Sequence, residues 1–267
     1  MGTRPISPLM LALASVFALG CDSPNPVQSS AVSPADPAPS LEITQAAAPA
    51  DPSTASGLPE FDPGDFVRRV DNPLFPLPLG TRLLYRGTYR GTEDGKPEKV
   101  ITDVTRDHKT ILGIPVVVVL DRVFLDGVLK EKTFDWYAQD EDGNVWYFGE
   151  DTKEFENGKV VSTAGSFEAG KNGAKAGVIM RAHPKLGQVT PQEFAPGVAE
   201  DKARVVDLDA TVRVPFGTFH HCLKSEEFTP LEPAVLENKF YCPGVGIVRE
   251  RDVRGGTVST ALTKVFR

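Results

Sequence analysis

From residue 82 to the C-terminus, apolar and polar positions mix in runs of strand length, each ended by residues that suit tight turns. Arg82 to Thr92, Glu98 to Thr105, Ile114 to Phe124, Val128 to Ala138, Val145 to Glu150 and Lys159 to Phe167 are six predicted strands. Between them stand Asp94-Gly95, Asp126-Gly127, Asp142-Gly143-Asn144 and Asn157-Gly158. Asn-Gly and Asp-Gly tolerate the positive φ of a hairpin turn, so the six runs predict an antiparallel meander and not alternating strands and helices. Val116-Val117-Val118-Val119-Leu120 is apolar at every position, which predicts a strand buried on both faces. Trp136 and Tyr137 face Trp146, Tyr147 and Phe148 across one short acidic loop, and their rings are expected to pack across that hairpin.

Glu168 to Glu200 breaks the rhythm with Gly170, Gly173, Gly177, Gly187, Gly197, Pro184, Pro191 and Pro196, and predicts a loop crossing a face or edge of the sheet. A second set of strands follows: Ala203 to Val214, Thr218 to Phe228, Ala234 to Tyr241, Gly246 to Val253 and Thr257 to Phe266. No segment carries a long, capped helical period. The fold class expected is all-β and mainly antiparallel, a meander of hairpins forming a curled sheet or half-barrel with little helix. It occupies 60–267, with 60–167 and 200–267 as two sub-lobes that the break would allow.

The residues before 60 are of another kind. Arg4 gives a positive start, Pro8 to Leu19 an apolar run too short to span a bilayer, and Ala18-Leu19-Gly20 a small-residue cleavage site, so 1–20 is expected to be a signal peptide. Cys21 stands immediately after it, where a bacterial lipoprotein carries its diacylglycerol; Ala18 holds the position at which such sites usually have leucine, and the same site would also suit an ordinary signal peptidase. Residues 21–59 hold eight prolines, no lysine or arginine and no aromatic ring, and predict a disordered tether. With no basic patch there, attachment to a membrane would rest on lipid at Cys21 alone. The expected location is the cell envelope, facing the periplasm or the cell exterior.

Three cysteines are an odd number for an oxidising compartment. Acylation of Cys21 would leave Cys222 and Cys242 as one pair. If their strands form a hairpin, opposed residue numbers sum to 464, which also sets Glu226 against Asn238 and leaves Pro230 and Pro233 in the loop. A bond there would contribute roughly 3 kcal/mol by shortening the unfolded chain's freedom. Two separate buried thiols are the alternative.

Several segments are distinctive. They are Asp71-Asn72-Pro73-Leu74-Phe75-Pro76-Leu77, Phe134-Asp135-Trp136-Tyr137-Ala138-Gln139-Asp140, Asn144 to Glu150, Phe194 to Asp201, and Tyr241-Cys242-Pro243-Gly244-Val245-Gly246. On them the chain resembles a family of uncharacterised secreted proteins and lipoproteins of bacteria, over nearly all of 65–267. The resemblance implies no established activity. Cys242 stands where that family more often has alanine, which would make the Cys222–Cys242 bond peculiar to this chain. Phe216-Gly217-Thr218-Phe219 through Cys222 also resembles envelope proteins whose sheets curl into half-barrels.

The formal net charge of −7 divides into +1 for Arg4, −4 for the tether and −4 for the rest, without a clustered basic stretch, so nucleic acid is not an expected partner. No glycine-rich phosphate loop opens a helix, and no cofactor is expected. Asp140, Asp142 and Asn144 are a weak calcium candidate, with Glu150, Asp151 and Glu154 nearby, but a solvated turn explains them better. His220 and His221 beside Cys222 point to opposite faces of a strand, and His108 and His183 have no paired spacing, so no transition-metal site is expected. Ser166 lacks a nucleophile elbow, and a carboxylate pair such as Asp135 with Glu150 could do acid–base work, but acids at strand ends are common and explain it better. The expectation is a non-catalytic binding or assembly module whose concave face, carrying Trp136, Tyr137, Trp146, Tyr147 and Phe148, could take an apolar or carbohydrate ligand, although core packing explains any single one of those rings better. A secreted hydrolase is the alternative.

Overall fold

The chain after residue 60 forms one sheet that nearly closes on itself. The computed structural model describes residues 58, 60–89, 96–256 and 258–267, so Cys21, the signal segment and nearly all of the tether lie outside the described residues. The strands are β1 (Phe66–Val67), β2 (Arg82–Tyr89), β3 (Lys96–Ile111), β4 (Ile114–Leu125), β5 (Val128–Asp140), β6 (Val145–Glu156), β7 (Lys159–Ser162) and β8 (Phe167–Glu168). They continue with β9 (Lys175–Met180), β10 (Val189–Pro191), β11 (Glu193–Phe194), β12 (Lys202–Val214), β13 (Gly217–Phe228), β14 (Leu236–Cys242), β15 (Gly246–Arg254) and β16 (Val258–Phe266). The helical content among the described residues is one 3₁₀ turn, Pro63–Asp65, capped by Asp62, whose Oδ1 accepts from Gly64 N at 2.7 Å.

Spatial order around the sheet is β10-β12-β13-β14-β15-β16-β2-β3-β4-β5-β6-β9-β11, and every pairing is antiparallel. The C-terminal strand β16 pairs with β2, so the two stretches read as sub-lobes belong to one sheet. The two ends of the order are consecutive pieces of chain: β10 stops at Pro191, β11 starts at Glu193, and Gln192 alone joins them. One kinked segment thus pairs with β12 on one side and with β9 on the other, and it forms the seam of a nearly closed barrel. The 168–200 region, expected as a loop, therefore supplies β9, β10 and β11. Strands of two to six residues among glycines carry too little pattern to be seen in sequence.

Two glycines make this geometry available. At the seam, a Cβ on Gly177 of β9 would lie 2.0 Å from the carbonyl oxygen of Gln192. In β6, Gly149 has φ of +120° and forms a bulge: Asp135 opposes Glu150 while Tyr137 opposes Tyr147, leaving one extra residue on β6. The bulge resets the alternation, so that Tyr147 and Glu150, three apart, both point inward.

Apolar clusters occupy both faces. Val117 and Val119 point into the barrel and share a cluster with Phe75, Tyr137, Tyr147, Leu223 and Tyr241, while Val116 and Val118 face outward in a cluster with Trp136, Trp146 and Phe148. The valine run is buried on both sides, as its composition predicts. The outward aromatics are covered by the N-terminal segment: Phe61 packs edge-on against Trp146 at 5.1 Å between centroids, and Phe66 against Phe148 at 5.6 Å. A second inward cluster, including Leu83, Tyr85, Val100, Val123, Val212 and Val248, contains the Cys222–Cys242 disulfide. Strands β13 and β14 pair with Glu226 against Asn238, the register that opposes the two cysteines, with Cα atoms 4.2 Å apart.

Replacing Gly177 by alanine is expected to lower stability by ~1–3 kcal/mol, because the seam carbonyl must move to admit the methyl group. Urea unfolding of G177A against the parent checks this; an unchanged midpoint would show that the seam is not held as described.

Candidate functional site

Closure gives each long strand an inward row, and in the middle of the barrel those rows turn polar. Along β4 the row reads Val119, Asp121, Val123; along β3 it reads Val104, Thr102, Val100. On β5 it is Glu131, Thr133, Asp135, Tyr137, and on β14 it is Glu237, Lys239, Tyr241. Among the described residues, ten carboxyl side chains besides Asp140 are buried in the fold, against one buried lysine, Lys239. Charge balance inside the barrel cannot be met by pairing alone.

Lys239 is the centre of the belt. Its ammonium lies 2.9 Å from Glu227 and 3.7 Å from Glu237, and its own strand neighbour across the sheet is Glu250. Burial pulls the Lys239 ammonium down, but Glu227, Glu237 and Glu250 outweigh it and hold the group well above the usual lysine value. Glu227 also accepts from Tyr241 at 2.7 Å and Ser225 at 2.8 Å. Tyr147 Oη is 2.8 Å from Asp135 Oδ1 and 2.8 Å from Glu150 Oε2. A phenol has one proton to donate, so one of those two acids must carry its own and donate it. That agrees with burial, which raises both Asp135 and Glu150 well above the carboxylate range.

Other acids have carboxyl oxygens that make no hydrogen bond. Both carboxyl oxygens of Glu193 and of Glu250 are buried without a hydrogen bond, as is Gln192 Oε1 beside the seam. Burial pushes Glu98 and Glu237 up to about 8, and Asp121 and Asp201 up to about 7. Such groups are protonated or await a cation.

Asp121 and Thr102 of the belt are reached from one side through a narrow funnel, with about 30 Å³ of room for solvent-sized occupants beneath its open mouth. Its wall is apolar, from Phe75, Leu77, Leu83, Val119, Val245 and Ile247, with Tyr85 and Tyr137; Asp121 and Thr102 are the polar side chains on it. Tyr85 is fixed by donating to Ile247 O at 2.9 Å. The rim segment around Phe75 is pinned to β5 by Gln139, whose Oε1 accepts from the amides of Asp71 (2.9 Å) and Asn72 (2.8 Å). It is tied to the β14–β15 turn by Gly244 N donating to Pro73 O at 2.8 Å.

The residues singled out from sequence fall in different places. The aromatics do not share a concave face: Tyr137 and Tyr147 stack inside at 4.9 Å, while Trp146 and Phe148 lie outside under Phe61 and Phe66, and Trp136 lies outside under Lys109. Alternation along a strand separates neighbours, so rows of adjacent aromatics are divided between faces. Asp135 and Glu150 are brought together, directly opposed. The oxygens of the Asp140–Asn144 turn are spent within the fold: Asp140 accepts from Asn144 N, Asn144 Nδ2 and the Trp146 indole, and Asn144 Oδ1 from Ala182 N. Asp151 pairs with Lys153 and Glu154 sits across from Glu131, so these acids do not converge with the turn, and no group of three metal-ligating side chains occurs among the described residues. All four histidines are exposed, His220 beside Thr211 and His221 paired with Asp209. Ser166 bonds the backbone of Thr152. The hydrolase alternative thus finds no histidine at the funnel. The acid belt was missed because its rows alternate with partly exposed positions and read as solvent faces. The available signal was a period-two row of acids on several neighbouring strands.

No protein-family model matches the chain, and no curated protein does. Two solved structures are similar to it. One is a "putative exported protein with YmcC-like fold" from Bacteroides fragilis NCTC 9343, 14% identical with a TM-score of 0.43, covering 72% of this chain and 98% of that one. The other is a "putative lipoprotein" from Parabacteroides distasonis ATCC 8503, 13% identical with a TM-score of 0.41, covering 73% and 99%. Likeness of this degree carries nothing about activity.

The belt makes stability depend on pH. Glu98, Asp121, Asp201 and Glu237 have folded values near 7 to 8 and return to about 4 when unfolded, so the folded protein holds protons that the unfolded chain releases. Their contribution is fully present below about pH 4 and lost as pH rises through 7 to 8. Urea unfolding at pH 5, 6, 7 and 8 is expected to show stability falling by at least ~1.4 kcal/mol per pH unit, one proton's worth. Glu237→Gln is expected to make the slope shallower. Stability that is flat or rises over this range would mean ionised acids matched by counter-charge.

Proposed function

We propose that this chain is an exported, lipid-anchored protein of the cell envelope whose barrel works as a non-catalytic binding module. The observation that carries the binding reading is the funnel itself: an apolar wall closing on a buried polar floor is the form in which proteins hold small ligands. The wall suits an apolar body, and Asp121 and Thr102 give its inner end orientation. The anchoring reading rests on the sequence before residue 60, where Cys21 follows a signal-like segment and precedes a proline-rich tether.

Two measurements test the two parts. Nile red, a neutral apolar dye, is expected to bind one-to-one with a saturable rise in fluorescence, and Val119→Trp is expected to abolish this by filling the funnel. Dye binding that V119W leaves intact would place the ligand elsewhere. For the anchor, intact mass of the mature protein extracted from membranes is expected to show Cys21 first and lipid attached, and Cys21→Ser to release the protein into the soluble fraction. A mature chain with an unmodified Cys21 would overturn the anchor and leave the binding reading untouched.

A further inference from the structure

The funnel ends on acid, and the acid is short of cations. Asp121 is 3% exposed, lies on the funnel wall beside the Thr102 hydroxyl, and has Oδ1 without a well-formed hydrogen bond. Behind it Glu250 is fully buried with both oxygens unpartnered. Lys239, the buried cation of the belt, is committed to Glu227 at 2.9 Å and Glu237 at 3.7 Å. Arg122, next to Asp121 in sequence, points to the other face and pairs with Asp103. Hydroxyls and phenols around Asp121 can orient a charge but cannot neutralise it.

We propose that the cavity takes an amphiphilic amine, its hydrocarbon body in the apolar funnel and its protonated nitrogen on the Asp121 carboxylate. This rests on the binding reading above and adds the ligand's chemical class. Three features select that class. The wall offers apolar area and two tyrosines, Tyr85 and Tyr137, and an aromatic ring is a favourable neighbour for a cation. A bare divalent ion is disfavoured, since no three carboxylates converge on one point among the described residues. An anion would meet Asp121 and Glu250, whose oxygens make no hydrogen bond, with the nearby ammonium already engaged. An ammonium needs only one carboxylate and a dry wall for its chain. Its charge also supplies part of what the belt lacks, so binding exchanges a buried proton on Asp121 for a buried ion pair.

The test is a matched series of equal chain length, titrated calorimetrically at neutral pH below the concentration at which any member aggregates: n-octylamine, n-octanol and octanoate. Octylamine, protonated at this pH, is expected to bind at least tenfold more tightly than octanol, and octanoate more weakly than either. Asp121→Asn is expected to bring octylamine down to the affinity of octanol. Glu250→Gln, an independent change of the same shape, is expected to lower octylamine affinity several-fold. Equal affinity for octylamine and octanol would overturn the charge selection and leave an apolar cavity standing. So would an amine preference that survives in D121N. Failure of all three compounds, together with failure of Nile red, would overturn the cavity itself and this inference with it.

Discussion

Closing a sheet on itself takes one side of every strand out of water, and the rest of this structure follows from what the chain puts on that side. A barrel of this kind is usually filled with aliphatic side chains. Here apolar clusters fill the ends and a belt of acids fills the middle. Each buried charge left unpaired costs several kcal/mol, so the belt can exist only through protons, hydrogen bonds and Lys239. The Lys239–Glu227 pair, with Tyr241 and Ser225 on the same carboxylate, is the best-satisfied part. Everything else in the lumen is arranged around a shortage of positive charge.

The outer face shows the opposite sign. Lys99 lies over the ring of Phe124 at 4.1 Å, Lys109 over Trp136 at 4.0 Å and Lys132 over Phe134 at 4.6 Å. Each of these ammonium groups sits over an aromatic ring, and that of Lys109 also pairs with Glu168 at 2.9 Å. The same strands thus carry base and aromatic outward and acid inward. A chain whose net charge is only −7 conceals an interior far more acidic than its surface. Net charge describes neither face.

Much of the fold could be read from the sequence, and the reason is local. The hairpin turns are marked by Asp126-Gly127 and Asn157-Gly158, with Asp126 and Asn157 both at positive φ as those turns require. The valine run reads correctly because apolar residues at every position have one explanation on a strand. The site could not be read, for an equally physical reason. Glu131-x-Thr133-x-Asp135 looks like the wet side of a sheet, and only closure makes it the dry one. Closure depends on Gln192 and Gly177, which come from the segment with the weakest pattern. The bulge at Gly149 compounds this, since without it Tyr147 and Glu150 belong to opposite faces.

The distinctive segments of the sequence acquire a common meaning once their positions are known. Asp71 and Asn72 are held by Gln139 and set Phe75 and Leu77 on the funnel wall. The Pro243-Gly244-Val245-Gly246 turn is tied to Pro73 and supplies the facing rim. Asp135, Tyr147 and Glu150 form one hydrogen-bonded part of the belt, and Asp201, at the end of Phe194 to Asp201, lies at the seam, where its carbonyl accepts from Gln192 N at 2.8 Å. The first two segments therefore meet at the rim of the cavity, and the others contribute to the belt and the seam. A sheet built only to be stable would need neither a rim assembled from two such turns nor acids beneath it, because an aliphatic filling is cheaper at every one of those positions. Among the buried acids Asp121 is the one on the cavity wall, and an acid retained there is the structural argument for a ligand.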